Sequence, residues 1–127
     1  MSLRILVIDD DEAIRLSVEV LLRAKGYEVF LGADGADGFA KFVESQPHVV
    51  ISDMIMPGHA SIETIGKIRA MKPDVAIIAM SGSIKGGPDS YLERAIAAGA
   101  DHYLDKPFEA AQLMSLLHDI EKSGRGP

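Results

Sequence analysis

Five short apolar runs, each followed by a stretch of helical periodicity, constrain this chain more than any other feature. The runs are LRILVI at 3–8, YEVFL at 27–31, HVVIS at 48–52, VAIIAM at 75–80 and DHYL at 101–104. After them, apolar residues recur at three- and four-residue spacing: Ile14, Val18, Leu21 and Leu22; Phe39, Phe42 and Val43; Ile62, Ile65 and Ile68; Tyr91, Leu92, Ala95 and Ile96; Leu113, Leu116, Leu117 and Ile120. That spacing gathers each set on one face of a helix, and Gly26 and Gly99 offer stops to the first and fourth. Runs one, three and four are nearly continuous in Val, Ile, Leu, Ala and Met, the mark of strands covered on both faces. Five strand-helix units with right-handed crossovers predict an open parallel sheet between two helix layers. All strand carboxyl ends then lie along one edge, where such sheets bind their ligands.

The 127 residues suffice for one such unit, burying roughly two-thirds of the unfolded surface. We place the domain at residues 3–121 and read 122–127 as a frayed tail or linker stub. No apolar run reaches the roughly 18 residues of a membrane span, and MSLRILVIDDD has too short an apolar run, ending in acids, for a secretory signal. The chain has no cysteine, which excludes disulfides and thiolate metal sites and is compatible with a reducing cytoplasm, the expected location. A formal charge of −6 argues against direct nucleic-acid binding by this domain, because phosphate contacts need clustered Lys and Arg.

Polar residues collect at the ends of the runs. Asp9, Asp10 and Asp11 follow the first, Asp53 the third, Ser81 the fourth and Lys106 the fifth. A carboxylate closing an apolar run needs a partner. Carboxylates sharing a cleft repel by about 1 to 4 kcal/mol per pair at 4 Å, which calls for a divalent cation. Oxygen-only ligation suits Mg²⁺, which takes one or two carboxylates together with waters and phosphate oxygens. Lys106 and the Ser81 hydroxyl add donors, and the set suits a phosphoryl group attached at Asp53. Singly, each piece has a plainer reading: Asp11 as a helix N-cap, Ser81 as the start of a turn, Lys106 as a surface lysine. Four strand ends carrying the parts of one phosphate-and-metal site outweigh those readings together. His48, His59, His102 and His118 lack zinc-ligand spacing, and neither a P-loop nor a dinucleotide fingerprint is present.

Taken together, DD after the first run, SDMIMPG, AMSGS and ADHYLDKPF resemble the receiver domain of two-component response regulators over nearly the whole chain. The resemblance implies a flavodoxin-like, CheY-like (βα)5 three-layer sandwich with strand order 2-1-3-4-5. It implies a phosphorelay module in which Asp53 takes a phosphoryl group from a phosphohistidine on a sensor histidine kinase or phosphotransfer protein. By the same resemblance, Asp10 and Asp53 would hold Mg²⁺ with the backbone carbonyl of Ile55, and Asp9 would act through a metal-bound water. Lys106 would pair with the phosphate and Ser81 would hydrogen-bond it. Tyr103 resembles the aromatic whose rotamer follows that hydroxyl, and the Lys106–Pro107 peptide would be cis. Output would pass through the face of helix 4, strand 5 and helix 5 to an output domain or a second copy. The chemistry would act on the chain itself, by phosphorylation and autodephosphorylation, so the chain is not expected to be a metabolic enzyme.

The sequence departs from the family pattern in three places. GHAS follows Pro57, with Ser61 where the family has the last glycine of Gly-Met-Asp-Gly, a departure that falls on the turn entering the third helix. Ser81 stands for a commoner threonine and lacks the methyl that restricts its rotamers. SIKGGPDS before the fourth helix suggests a mobile loop. The competing classes are a small aspartate-nucleophile phosphatase, for which Asp9 and Asp11 have D-x-D spacing, and a flavin carrier, whose phosphate three aspartates would repel. A degenerate receiver acting as a phosphorylation-independent interaction module is the third.

Overall fold

The alternation read from the sequence is present in full. The computed structural model describes residues 3–54, 60–81, 91–106 and 108–123, with the backbone alone at residues 60, 61, 81 and 91–93. The elements are β1 (Arg4–Ile8), α1 (Glu12–Ala24), β2 (Glu28–Gly32), α2 (Gly35–Ser45), β3 (Val49–Asp53), α3 (Ala60–Met71), β4 (Ala76–Ser81), α4 (Tyr91–Ala98), β5 (His102–Asp105) and α5 (Ala110–Lys122). All ladders are parallel and the strand order is β2-β1-β3-β4-β5.

The two-residue period of the strands divides the core into two layers. Ile5, Val7, Val49, Ile51, Ile78 and Met80 face Val18 and Leu22 of α1 and Leu113, Leu117 and Ile120 of α5. Their neighbours Leu6, Ile8, Val50, Ile77 and Ala79 face Phe42 of α2, Ile65 and Ile68 of α3 and Ala95 of α4. On the second side, α2 lies unusually close to the sheet. A Cβ at Gly32 would stand 2.6 Å from the Gly38 Cα, and one at Gly38 would stand 2.5 Å from Ile8 Cδ1. Two side-chain-free positions therefore let helix and strand meet at backbone distance.

The structure corrects some details of the sequence reading. Every strand starts one residue later than its apolar run, and the last four also end one residue later, so Asp53 and Ser81 are strand residues paired with Met80 and Asp105. Burial, which the runs track, begins before the ladder does: Leu3 and Val75 are buried but precede their strands. Val43 and Ile96, expected on core faces, are 48% and 58% exposed. Asp11 is the N-cap of α1, its Oδ1 accepting from the Ala13 and Ile14 amides at 2.9 and 3.3 Å. The residue 57–61 turn and the 83–90 loop lie outside the residues described in full.

Polar ties lock the edges of this frame. On edge strand β2, the Val29 carbonyl accepts from Arg23 Nη2 at 2.9 Å. At the amino end of the sheet, His48 Nδ1 accepts from the Arg4 amide at 2.9 Å, which requires that nitrogen to be unprotonated. Arg69 of α3 forms the densest tie. Its guanidinium donates to the Gly99 carbonyl from Nε and Nη2 at 3.1 and 2.8 Å, and from Nη1 to Pro73 and Val75 carbonyls, both at 2.7 Å. It also meets Asp101 Oδ2 at 2.6 Å, which accepts from the Ile77 amide at 2.9 Å. Gly99 adopts φ +127°, and a Cβ there would lie 2.9 Å from Arg69 Cγ, so both backbone and packing call for glycine.

Arg69→Ala should therefore cost about 2 to 3 kcal/mol, because it leaves a carboxylate and several carbonyls without their charged donor. Urea unfolding at constant m-value measures this, and Arg69→Lys should recover less than half. Burial first, then the charges of Arg4 and Lys72, hold the His48 pKa below 6.5. The unfolded chain consequently takes up the His48 proton first as pH falls, and stability is lost from about pH 6.5 downward through the folded pKa. A His48→Gln variant, followed by denaturant midpoints between pH 7.5 and 5.5, should show a shallower decline.

Candidate functional site

Beyond β1 the chain continues the strand's alternation for one residue. The Asp9 amide donates to the Gly32 carbonyl at 3.1 Å, and its side chain is completely buried. Asp9, Asp53 and Lys106 have the parity of the residues that face α1 and α5, so the period that builds that core layer also brings them together. Asp53, 5% exposed, is the last residue of the central strand, while Asp10 is exposed beside it. Carboxylate oxygens of Asp9, Asp10 and Asp53 lie within 4.8 Å of one another.

One cation joins two of them. Lys106 Nζ donates to Asp9 Oδ2 at 2.9 Å and lies 3.4 Å from Asp53 Oδ1, with its side chain 15% exposed. Burial works against the ammonium, but the hydrogen bond to Asp9 and the charges of Asp53 and Asp9 outweigh it, and the pKa is raised above 10.5. Lys106 is thus a fixed positive charge at any physiological pH. The other Asp9 oxygen, Oδ1, accepts from the Asp11 amide at 2.9 Å. Both Asp9 oxygens are already bonded, which suits an acid that meets a cation through water more than one that ligates directly.

Two further residues shape the site and were not singled out from the sequence. Arg15 Nη1 donates to the Asp9 carbonyl at 2.7 Å and so steadies the peptide that carries Asp10. Its signal was available: a cation near a helix N-terminus opposes the helix dipole and asks for another reason to be there. The second is Asp105, whose Oδ1 accepts from the Tyr103 hydroxyl at 2.6 Å, two residues away on the same face of β5. Tyr103 is half-buried, and burial, followed by its bond to Asp105 and that residue's charge, pushes its pKa up to about 12.

Of the residues expected from the sequence, Asp9, Asp10, Asp53 and Lys106 converge in one cluster. Ser81 ends β4 at the same sheet edge, with its side chain outside the described set, as are Ile55 and the Lys106–Pro107 peptide. Three oxygen-donor acids with one of them exposed match the preference of Mg²⁺ for carboxylate and water. Beside the cluster runs a groove of about 610 Å³ between α1 and the start of α5, lined by Ile14, Ser17, Val18, Leu21, Lys106, Phe108 and Ala110.

Residues 5–118 match the family model described as the response regulator receiver domain. Response regulator MprA of Mycobacterium tuberculosis is 35% identical over 122 residues, covering 94% of this chain and 51% of that protein. Its counterpart in Mycobacterium ulcerans is also 35% identical, over 94% of this chain and 50% of that protein. The chain thus spans about half the length of these curated relatives. Among solved structures, the chemotaxis protein CheY4 of Vibrio cholerae superposes with TM-score 0.84 at 29% identity, covering 94% of this chain and 99% of that one. A CheY-like receiver domain protein from Methanospirillum hungatei gives TM-score 0.88 at 27% identity, over 99% and 100% of the two chains.

The acid cluster should bind Mg²⁺, and binding should raise the melting temperature by mass action. Asp10→Asn should weaken Mg²⁺ by about tenfold or more, roughly 1.4 kcal/mol, as read by calorimetric titration.

Proposed function

The chain belongs to the response regulator receiver domain family, and from that premise we propose that it is the phosphoacceptor of a two-component phosphorelay, with Asp53 as the nucleophile. The observation that carries this reading is the position of Asp53. It is a nearly buried carboxylate ending the central strand, 3.4 Å from the Lys106 ammonium and grouped with Asp9 and Asp10.

A carboxylate oxygen of Asp53 attacks the phosphorus of a phosphohistidine. The new P–O bond forms as the P–N bond breaks, and the bonding pair stays on the imidazole nitrogen of the donor. Lys106 neutralises charge that passes from the carboxylate to the phosphoryl oxygens, so the chain's main contributions are position and electrostatics. Asp10, Asp53 and the Ile55 carbonyl would hold Mg²⁺, with Asp9 acting through a water, and the ion would supply further neutralisation of the equatorial oxygens. Ser81, at the end of β4, would donate to the phosphoryl group. Attack of water on phosphorus later breaks the P–O bond to Asp53, releasing inorganic phosphate and restoring the carboxylate, and this self-directed cycle is the chain's turnover.

The donor is a sensor histidine kinase or a phosphotransfer protein. Its approach is along the groove beside Lys106, whose wall on α1 is formed by Ile14, Ser17, Val18 and Leu21. An apolar helix face carrying the phosphohistidine fits there. Output passes through α4, β5 and α5 to a second copy or to an output domain. Cytoplasmic action agrees with the absence, among the described residues, of a helix long and apolar enough to cross a membrane. The D-x-D phosphatase reading is disfavoured, because both Asp9 oxygens are engaged and Asp11 Oδ1 caps α1.

Incubation with acetyl phosphate and Mg²⁺ should add one phosphoryl group to the intact mass. Asp53→Asn should abolish the gain, and a gain that persists in that variant would refute the assignment.

A further inference from the structure

Tyr103 and Asp105 alternate onto one face of β5, and the phenol donates to the exposed carboxylate at 2.6 Å. That length belongs to a charge-assisted O–H···O⁻ bond, about twice as strong as a neutral one. The bond ties a half-buried ring to the solvent rim, where Tyr103 also walls a groove of about 460 Å³ with Leu104, Ala111, Gln112, Ser115 and Leu116. On the neighbouring strand the register sets Ala79 beside Tyr103 and Ser81 beside Asp105. A small, fully buried alanine is thus the ring's neighbour on the inner side. Asp105 is also one peptide bond from Lys106, the cation that spans Asp9 and Asp53. A shift of the Lys106 backbone is therefore shared by Asp105, whose carboxylate holds the phenol.

We propose that Asp105 is the latch on Tyr103. In the unphosphorylated chain its carboxylate holds the phenol at the outer rim. Recruitment of Lys106 by a phosphoryl group on Asp53 draws Asp105 out of register with the phenol, and the ring is released toward Ala79. Asp105 therefore sets how far the β5 face is switched before any phosphate arrives. The inference rests on Asp53 being the phosphoacceptor.

The test uses ring-¹³C-tyrosine NMR, with Tyr103→Phe to assign the Tyr103 signal, and beryllofluoride with Mg²⁺ as the phosphoryl mimic. In the parent, the mimic should shift the Tyr103 signal. Asp105→Ala should move it the same way without the mimic, corresponding to a roughly three- to tenfold change in the ring's equilibrium. Because apparent affinity scales with the fraction of competent molecules, beryllofluoride should bind that variant more tightly, by up to the same factor. Asp105→Asn, which keeps an acceptor without the charge, should fall between. If the parent signal responds while both variants match the parent in position and affinity, Asp105 is only a surface hydrogen bond and the latch is wrong. If Asp53 gains mass from acetyl phosphate but the parent Tyr103 signal ignores the mimic, the latch fails while the phosphoacceptor reading stands. Absence of the mass gain overturns both.

Discussion

One ammonium makes the carboxyl edge of this sheet tenable. Asp9 is completely buried and Asp53 nearly so, and Lys106 is within reach of both. Removing one member of a buried charge group typically costs about 3 to 5 kcal/mol, because the remainder is left uncompensated. The geometry also favours a long side chain. Asp53 ends β3 and Lys106 follows β5, with β4 between them, so the two strands stand two spacings apart, roughly 9 to 10 Å, a gap that the lysine stem and the aspartate side chain close together.

Among the described residues, three carboxylates gather at this edge, and Lys106 pairs with two of them, Asp9 and Asp53. The grouping is one that could hold a divalent cation through oxygen ligands. Division of labour among the acids follows their surroundings. Asp9 is committed to the Asp11 amide and to Lys106, whereas Asp10 looks outward, and Arg15 steadies the peptide between them. Residues adjacent in sequence thus take different parts, one structural and one available to solvent.

The parallel sheet and the meeting of charged residues at its carboxyl edge were legible because both follow from periodicity, whereas the strand order came only with the family resemblance. Strand period two fixes which face Asp53 takes, and strand-helix alternation sends all carboxyl ends to one edge. Boundaries were less legible, since hydropathy records burial and not the backbone ladder, and Asp53 and Ser81 pair as strand residues despite being polar. Val43 and Ile96 misled for a related reason: helical spacing names a face without saying how far the neighbouring layer covers it. The links made by Arg69 and by Lys106 join residues about 30 and 97 positions apart and leave no local pattern. The Tyr103–Asp105 pair did have a local spacing, yet alternation on an edge strand carries no sign that two polar groups will bond.

The tie between Arg23 and the Val29 carbonyl has a consequence for association. An incoming strand that extended the sheet at β2 would need that outward carbonyl as its acceptor, and the guanidinium already occupies it. The two margins of the sheet are consequently unequal: one is plugged by its own helix, and β5 forms the other. Growth of the sheet by a foreign strand, the first step of runaway aggregation, is obstructed at that carbonyl on the plugged side.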